Sequence, residues 1–288
     1  MIVVGCGYTG RRLLERCRDM RREFFGTVRS ADSAARLRAA GAGAGILDLD
    51  QPGGALPPEW TSQRALIYMA PPPGTGETDP RLRACLARIT AFPERVVYLS
   101  TTAVYGDTGG QTVDETTPAA PASARGRRRL DAEQALQDWG QDTGVAVRIL
   151  RVPGIYGPGR LPLERLQNGA PVARAGETGP GNRIHVDDLA AASLAAVDYA
   201  GPEVVFNVGD GDHRGMDEYF RAVARLAGLP APPELPLDEL LSQVSPAMRG
   251  FLVESRRVDT TRMRAVLGFH PRYATLEEGI AASLEPGA

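Results

Sequence analysis

The sequence contains no lysine: all 33 basic residues of its 288 are arginine. Any reaction that requires a lysine amine is thereby excluded, Schiff-base chemistry and the phosphate-binding lysine of P-loop proteins included. Cysteine is also scarce. Cys6, Cys17 and Cys85 are widely spaced, so they form no disulfide framework, and none stands in a CxxC or CxxH pair that would hold zinc. The expectation is a reducing, cytoplasmic compartment and no metal. No stretch approaches the run of roughly 20 apolar residues that a membrane helix needs, and no basic leader or small-residue cleavage site opens the chain. An excess of either charge is missing too: 33 basic against 35 acidic residues leave a formal net charge of -2, which gives a nucleic-acid partner little electrostatic support. There is no GxSxG elbow for a hydrolase serine.

What is present is a regular alternation. Short apolar runs at 2–4, 24–29, 65–70, 95–101 and 145–151, with GILDL at 45–49, are separated by helical patterns at 10–22, 32–40, 79–92 and 126–141. Strands of this length alternating with helices predict βαβ units with right-handed crossovers. The fold class is therefore α/β, a Rossmann-like doubly wound parallel sheet with helices on both faces and a smaller α+β C-terminal lobe. Residues 1–155 read as a dinucleotide-binding domain that also receives a strand near 204–209. Residues 156–288, turn-rich at GPGRLP, AGETGPGN and LPAPPELP, read as the lobe that closes over a ligand.

GCGYTG at 5–10 has GxGxxG spacing between a strand and a helix. Gly5 permits the tight turn, Gly7 lets backbone approach a pyrophosphate, and Gly10 lets the helix pack on the sheet, with Tyr8 and Thr9 in the intervening positions. The second strand ends in Arg29 and Ser30, which favours a 2′-phosphate and hence NADP, while Asp32 leaves NAD possible. Asp48 with Leu49, ending the third strand, borders the adenine, and Ala70 with Pro71, ending the fourth, borders a ribose.

Taken in order, GCGYTG, YLSTTAVYGD at 98–107, RVPGIYGPGR at 151–160 and RIHVDDLA at 183–190 resemble the extended short-chain dehydrogenase/reductases, the NAD-dependent epimerase/dehydratase group. The resemblance runs to VLGFHPRYATLEEGI near the end of the chain. It implies a small-molecule substrate, a homodimer as the default assembly, and Thr101 as the strand-end hydroxyl of the active site. It also implies a tyrosine and a lysine spaced YxxxK before LxAE. RGRRRLDAE at 125–133 occupies that place, with Arg125 where the tyrosine belongs and Arg129 where the lysine belongs. Arginine can partly imitate the lysine by holding the nicotinamide ribose, but a guanidinium with a pKa of roughly 13.8 shuttles no proton at neutral pH. Tyr105, Tyr156 and His185 are the remaining titratable groups on matching motifs. In the substrate pocket Gly154 and Gly181 replace an asparagine and an arginine of the active sugar enzymes. Tyr156, Arg160 and Arg183 are left to contact a substrate, which the arginines suit if it is anionic.

Positive charges in a helix's first turn oppose its dipole at a cost of up to about 1 kcal/mol each, so at least one arginine of the run needs an anionic partner. The expectation places Arg129 at the cofactor and Arg127 and Arg128 in solvent. Two functions fit: an NADP-dependent oxidoreductase, epimerase or dehydratase-like enzyme on a small carbonyl or nucleotide-sugar-like substrate, or a catalytically inactive NAD(P)-binding sensor.

Overall fold

The computed structural model describes residues 1–285, the side chains of Pro246 and Ala247 lying outside the description. Residues 286–288 of the expected second lobe are also outside it. Seven strands, β1 (Ile2–Val4), β2 (Phe25–Val28), β3 (Gly43–Ile46), β4 (Ala65–Tyr68), β5 (Arg95–Leu99), β6 (Ala146–Arg151) and β7 (Val205–Asn207), form one parallel sheet. Their order is β7-β6-β5-β4-β1-β2-β3. The direction of winding reverses between β1 and β4, and in such sheets ligands bind beyond the strand C-termini at that switch point. The seventh strand is the one expected near 204–209.

Side chains alternate across each strand, and both faces are covered. Val3, Ile67, Val97 and Leu150 pack under α1 (Tyr8–Asp19), α2 (Ala31–Ala39) and α5 (Val186–Asp198) through Leu13, Cys17, Leu37 and Leu189. Ile2, Val4, Leu66, Val96 and Ile149 face α3 (Pro80–Ala87) and α4 (Ala124–Thr143) through Leu82, Cys85, Ala132 and Leu136. Near-continuous apolar strands are what a sheet buried on both faces requires.

A smaller core gathers Tyr156, Leu166, Val172, Phe220, Val223, Leu276 and Ile280 between α6 (Met216–Leu226) and α7 (Leu276–Leu284). Three two-stranded parallel pairs stitch the irregular part together: Gly154–Tyr156 with Arg183–His185, Val172–Ala173 with Glu234–Leu235, and Thr112–Val113 with Arg257–Val258. The last pair returns the C-terminal segment to the loop that precedes α4. The helix Pro246–Val253 lies beside the start of α4, where Phe251 meets Arg125.

Candidate functional site

The loop between β1 and α1 is fixed by its glycines. Gly5 has φ +83°, and a Cβ there would lie 2.6 Å from the Ala70 backbone, so only glycine fits at this crossing of β1 and β4. At Gly10 a Cβ would meet the Cys6 sulfur at 2.8 Å, whereas at Gly7 it would meet nothing nearer than 4.0 Å. Gly7 therefore faces open space at the start of α1, whose N-terminus has no side-chain cap and no acid in its first turn. Its outward N–H groups are a ready site for an anion. The loop is anchored to β2, since Cys6 N donates to Thr27 O at 2.8 Å and Gly5 N to Thr27 Oγ1 at 3.4 Å. Sequence reading passed over Thr27; a hydroxyl in an otherwise apolar strand was the available signal.

Tyr8 reaches from this loop to the lobe. Its hydroxyl donates to Pro158 O at 2.9 Å, and the Arg160 guanidinium stacks 4.2 Å from its ring centre. Burial raises the tyrosine's pKa, so it stays a neutral donor. Thr9 is half-buried beside it.

At the end of β2, Arg29 is exposed and donates to no acceptor among the described residues, while Ser30 caps α2 by accepting Ser33 N at 3.3 Å. Asp48 Oδ1 accepts Asp50 N at 3.0 Å, and Leu49 is half-buried. Arg81, which no sequence motif marks, binds Asp50 bidentately with both distances 2.6 Å and donates to Pro71 O at 2.9 Å. It clamps the ends of β3 and β4 together, with Ala70 buried and Pro71 exposed beside it.

Thr101, two residues beyond β5, starts a 3-10 turn, Thr102–Tyr105, by accepting Ala103 N at 3.3 Å. The first turn of α4 lies directly on this turn: a Cβ at Gly126 would sit 2.6 Å from Ala103 O. Ser123 caps the helix through Gly126 N at 3.2 Å. The arginine run then divides. Arg125 is exposed, with its guanidinium 5.7 Å from the Phe251 ring centre. Arg127 pairs with Glu77 at 2.8 Å. Arg128 corrects the expectation of a solvated side chain: it is only 8% exposed and donates to Gly76 O at 2.7 Å. The loop before α3 supplies that carbonyl, and the long apolar stem of arginine gains by burial. Arg129 donates to Tyr98 Oη and Leu99 O, both at 3.0 Å, which holds it at the end of β5.

Behind the turn lies a buried polar chain. Glu133, 1% exposed, accepts Ser100 Oγ at 2.5 Å and pairs with Arg151 at 2.8 Å. Arg151 stacks on Tyr105, whose hydroxyl donates to Asn207 Oδ1 at 2.8 Å. Burial raises the pKa of Tyr105, so this tyrosine's proton is held in the chain that joins β5, α4, β6 and β7. A second cluster, Tyr68, Asp79 and Tyr98, is fully buried beneath Arg129, with Tyr68 Oη and Asp79 Oδ2 unpartnered.

In the lobe, Tyr156 and Arg183 are turned inward. Arg183 donates to Arg214 O at 2.7 Å and Gly215 O at 3.1 Å and stacks on Tyr219, while Tyr156 Oη is buried against Gly279. His185 Nδ1 accepts Asp187 N at 3.2 Å and so caps α5 as a neutral ring. No group of three or more His, Cys, Asp or Glu among the described residues is placed to hold a metal. No described helix is long and apolar enough to cross a membrane.

Residues 81–209 match the model of the NAD dependent epimerase/dehydratase family. Over nearly its whole length the chain also superposes on a conserved protein of unknown function from Silicibacter pomeroyi, with a TM-score of 0.83, 33% identity, and coverage of 98% of this chain and 96% of that one. The chain belongs to the NAD-dependent epimerase/dehydratase family. Among curated relatives, it is 35% identical to protein YeeZ of Escherichia coli K12 over 144 residues, 48% of either chain. It is 31% identical to the dTDP-6-deoxy-L-talose 4-dehydrogenase (NAD(P)(+)) of Kitasatospora kifunensis over 205 residues, 66% of this chain and 62% of that one. The chain spans about half the length of the first curated relatives it matches.

Proposed function

We propose that the chain binds a nicotinamide dinucleotide at residues 5–10 and uses it as an oxidoreductase or an epimerase/dehydratase-like enzyme on a small carbonyl or nucleotide-sugar-like substrate. The observation that carries this reading is the open cradle at Gly7, beneath an uncapped helix N-terminus and between Gly5, where only glycine fits, and Gly10, where an added carbon would meet the Cys6 sulfur. The talose dehydrogenase named above is described as an NAD(P)(+) enzyme, which supports the same reading. When bound, the nicotinamide supplies hydride transfer.

The chain's own residues would divide the work as follows. Gly7 and the first N–H groups of α1, at Tyr8, Thr9 and Gly10, hold the pyrophosphate. The unpartnered Arg29, with Ser30, takes the 2′-phosphate of NADP. Asp48 and Leu49 border the adenine, Ala70 and Pro71 a ribose, and Arg129 the nicotinamide ribose. Thr101 accepts a backbone N–H while its own hydroxyl hydrogen has no acceptor among the described residues, so it can orient a substrate carbonyl. Arg160, stacked on Tyr8, closes the lobe side, and Tyr156 and Arg183 shape that side from within. Arg125 and Arg129 contribute charge and hydrogen bonds but exchange no proton.

A cofactor-binding sensor without turnover is the second reading, favoured by arginine at both positions where the family's tyrosine and lysine belong. Absorbance at the reduced-cofactor band, followed with nucleotide sugars and small carbonyls, separates the two: turnover on any of them establishes the enzyme. Tight cofactor binding with none of them turned over favours the sensor.

A further inference from the structure

The arginine run at the start of α4 contains three side chains with acceptors and one without. Arg127 has Glu77, Arg128 has Gly76 O, and Arg129 has Tyr98 and Leu99 O. Arg125 donates to no acceptor and lies within ion-pair distance of no carboxylate among the described residues; its guanidinium stands over one aromatic face, Phe251. Phe251 is itself 51% exposed, so the pair forms a cationic and aromatic wall open to solvent. Packing around the Arg125 head group, and next the charge of Arg129, lower its pKa; Glu254 acts the other way and Arg128 adds to the lowering.

Arg128 supplies an independent sign. It is only 8% exposed, and its Nε is buried without any partner. A buried charged donor left open costs more than an exposed one. The first turn of α4 holds no acid, and the helix dipole adds positive potential there. The turn of α4 that carries these charges packs on the 3-10 turn that Thr101 starts, through Gly126 against Ala103 O.

We infer that Arg125, backed by Arg128 and walled by Phe251, is a seat for an oxyanion of the substrate, a carboxylate or a phosphoryl group. A guanidinium binds either through two parallel N–H donors, and the seat lies where the family's proton-transferring tyrosine belongs. In this chain that position recognises charge rather than moving a proton. Assigning the oxyanion to the substrate rests on the function proposed above; the seat itself does not.

The test is calorimetric titration of the full chain at low ionic strength, with malonate and separately with inorganic phosphate. It uses wild type, Arg125→Leu, Phe251→Ala and Gly7→Asp, the last to mark binding on the cofactor loop. The expected result is an anion site weakened at least about tenfold in Arg125→Leu and several-fold in Phe251→Ala, and retained in Gly7→Asp, which removes any second anion held on the cofactor loop. The stronger of the two probes identifies carboxylate or phosphoryl. Arg125 is exposed, so its replacement should fold; if it does not, Arg125→Lys, which keeps the charge and loses the fork, should weaken binding several-fold. Absence of binding in wild type overturns the inference. So does binding that Arg125→Leu leaves unchanged, and its loss in Gly7→Asp would place the anion on the cofactor loop. Arg125-dependent anion binding in a protein that binds no NADPH would keep the seat and retire the cofactor reading.

Discussion

Replacing Glu133 by alanine removes the carboxylate that answers the buried Arg151. The two side chains are 1% and 8% exposed, and Arg151 already carries one buried nitrogen, Nη1, without a partner. Removing one member of a buried pair leaves an uncompensated charge and costs about 3–5 kcal/mol. Ser100 Oγ loses its acceptor as well, which places the effect at the upper end. Unfolding entropy of about 2.1 cal/mol/K per residue gives roughly 0.6 kcal/mol/K for a chain of 288 residues, so the midpoint should fall by about 5–8 °C. Differential scanning calorimetry measures this directly. Because Glu133 ties α4 to the strand end next to Thr101, any turnover should fall together with stability. Changing both partners, Glu133→Met with Arg151→Met, should recover most of the loss, since replacing a buried pair by apolar groups is often neutral. A fall below about 2 °C in the single variant would refute the view that this pair holds the strand end.

Two buried groups in the lobe should give opposing pH dependences. Burial pushes the Asp210 carboxyl up to about 7, so the folded state holds a proton that the unfolded chain has released, and stability falls as pH rises from about 4 to 7. Burial pushes His185 down to about 4, so the unfolded chain holds the extra proton and stability rises with pH between about 4 and 6.5. Denaturant melts should therefore show a rising pH profile for Asp210→Asn and a falling one for His185→Phe, and parallel profiles would contradict both assignments. All three cysteines are buried, and burial raises Cys6 and Cys85 to about 12, so native protein should leave a thiol reagent unreacted on the timescale in which denatured protein consumes it. Gly5→Ala should abolish cofactor binding, because the added carbon meets the Ala70 backbone at 2.6 Å and the residue must hold φ +83°. Unaltered NADPH affinity in a folded Gly5→Ala protein would overturn the role given to this loop. Arg29→Ala should abolish a preference for NADPH over NADH while leaving NADH binding intact.

The sheet was legible because its strands are buried on both faces and so read as uninterrupted apolar runs, and the tight turn between β1 and α1 because Gly5, Gly7 and Gly10 mark it. The helix start at Tyr8, two residues earlier than expected, was obscured by Gly10, which propensity disfavours and packing against Cys6 demands. Tertiary carbonyls decided the rest. Arg128 looks solvated in a run of like charges, but Gly76 O, contributed by a loop some 52 residues away, captures it. Tyr105 and Tyr156 carry titratable hydroxyls on family motifs. Nothing local indicates that the first is engaged by Asn207 from β7 and the second enclosed by Gly279 from α7. Arg81 went unnoticed for the same reason, since its partner Asp50 is 31 residues distant in the chain.

The most direct test of the account is a thermal-shift titration of ligand-free protein with NADPH and with NADH. A ligand that binds only the native state stabilises it by about 2.7 kcal/mol at a hundred times its Kd. The account predicts a rise of several degrees with saturating NADPH and a smaller one with NADH at equal concentration. No rise with either cofactor would contradict the claim that residues 5–10 form a dinucleotide cradle.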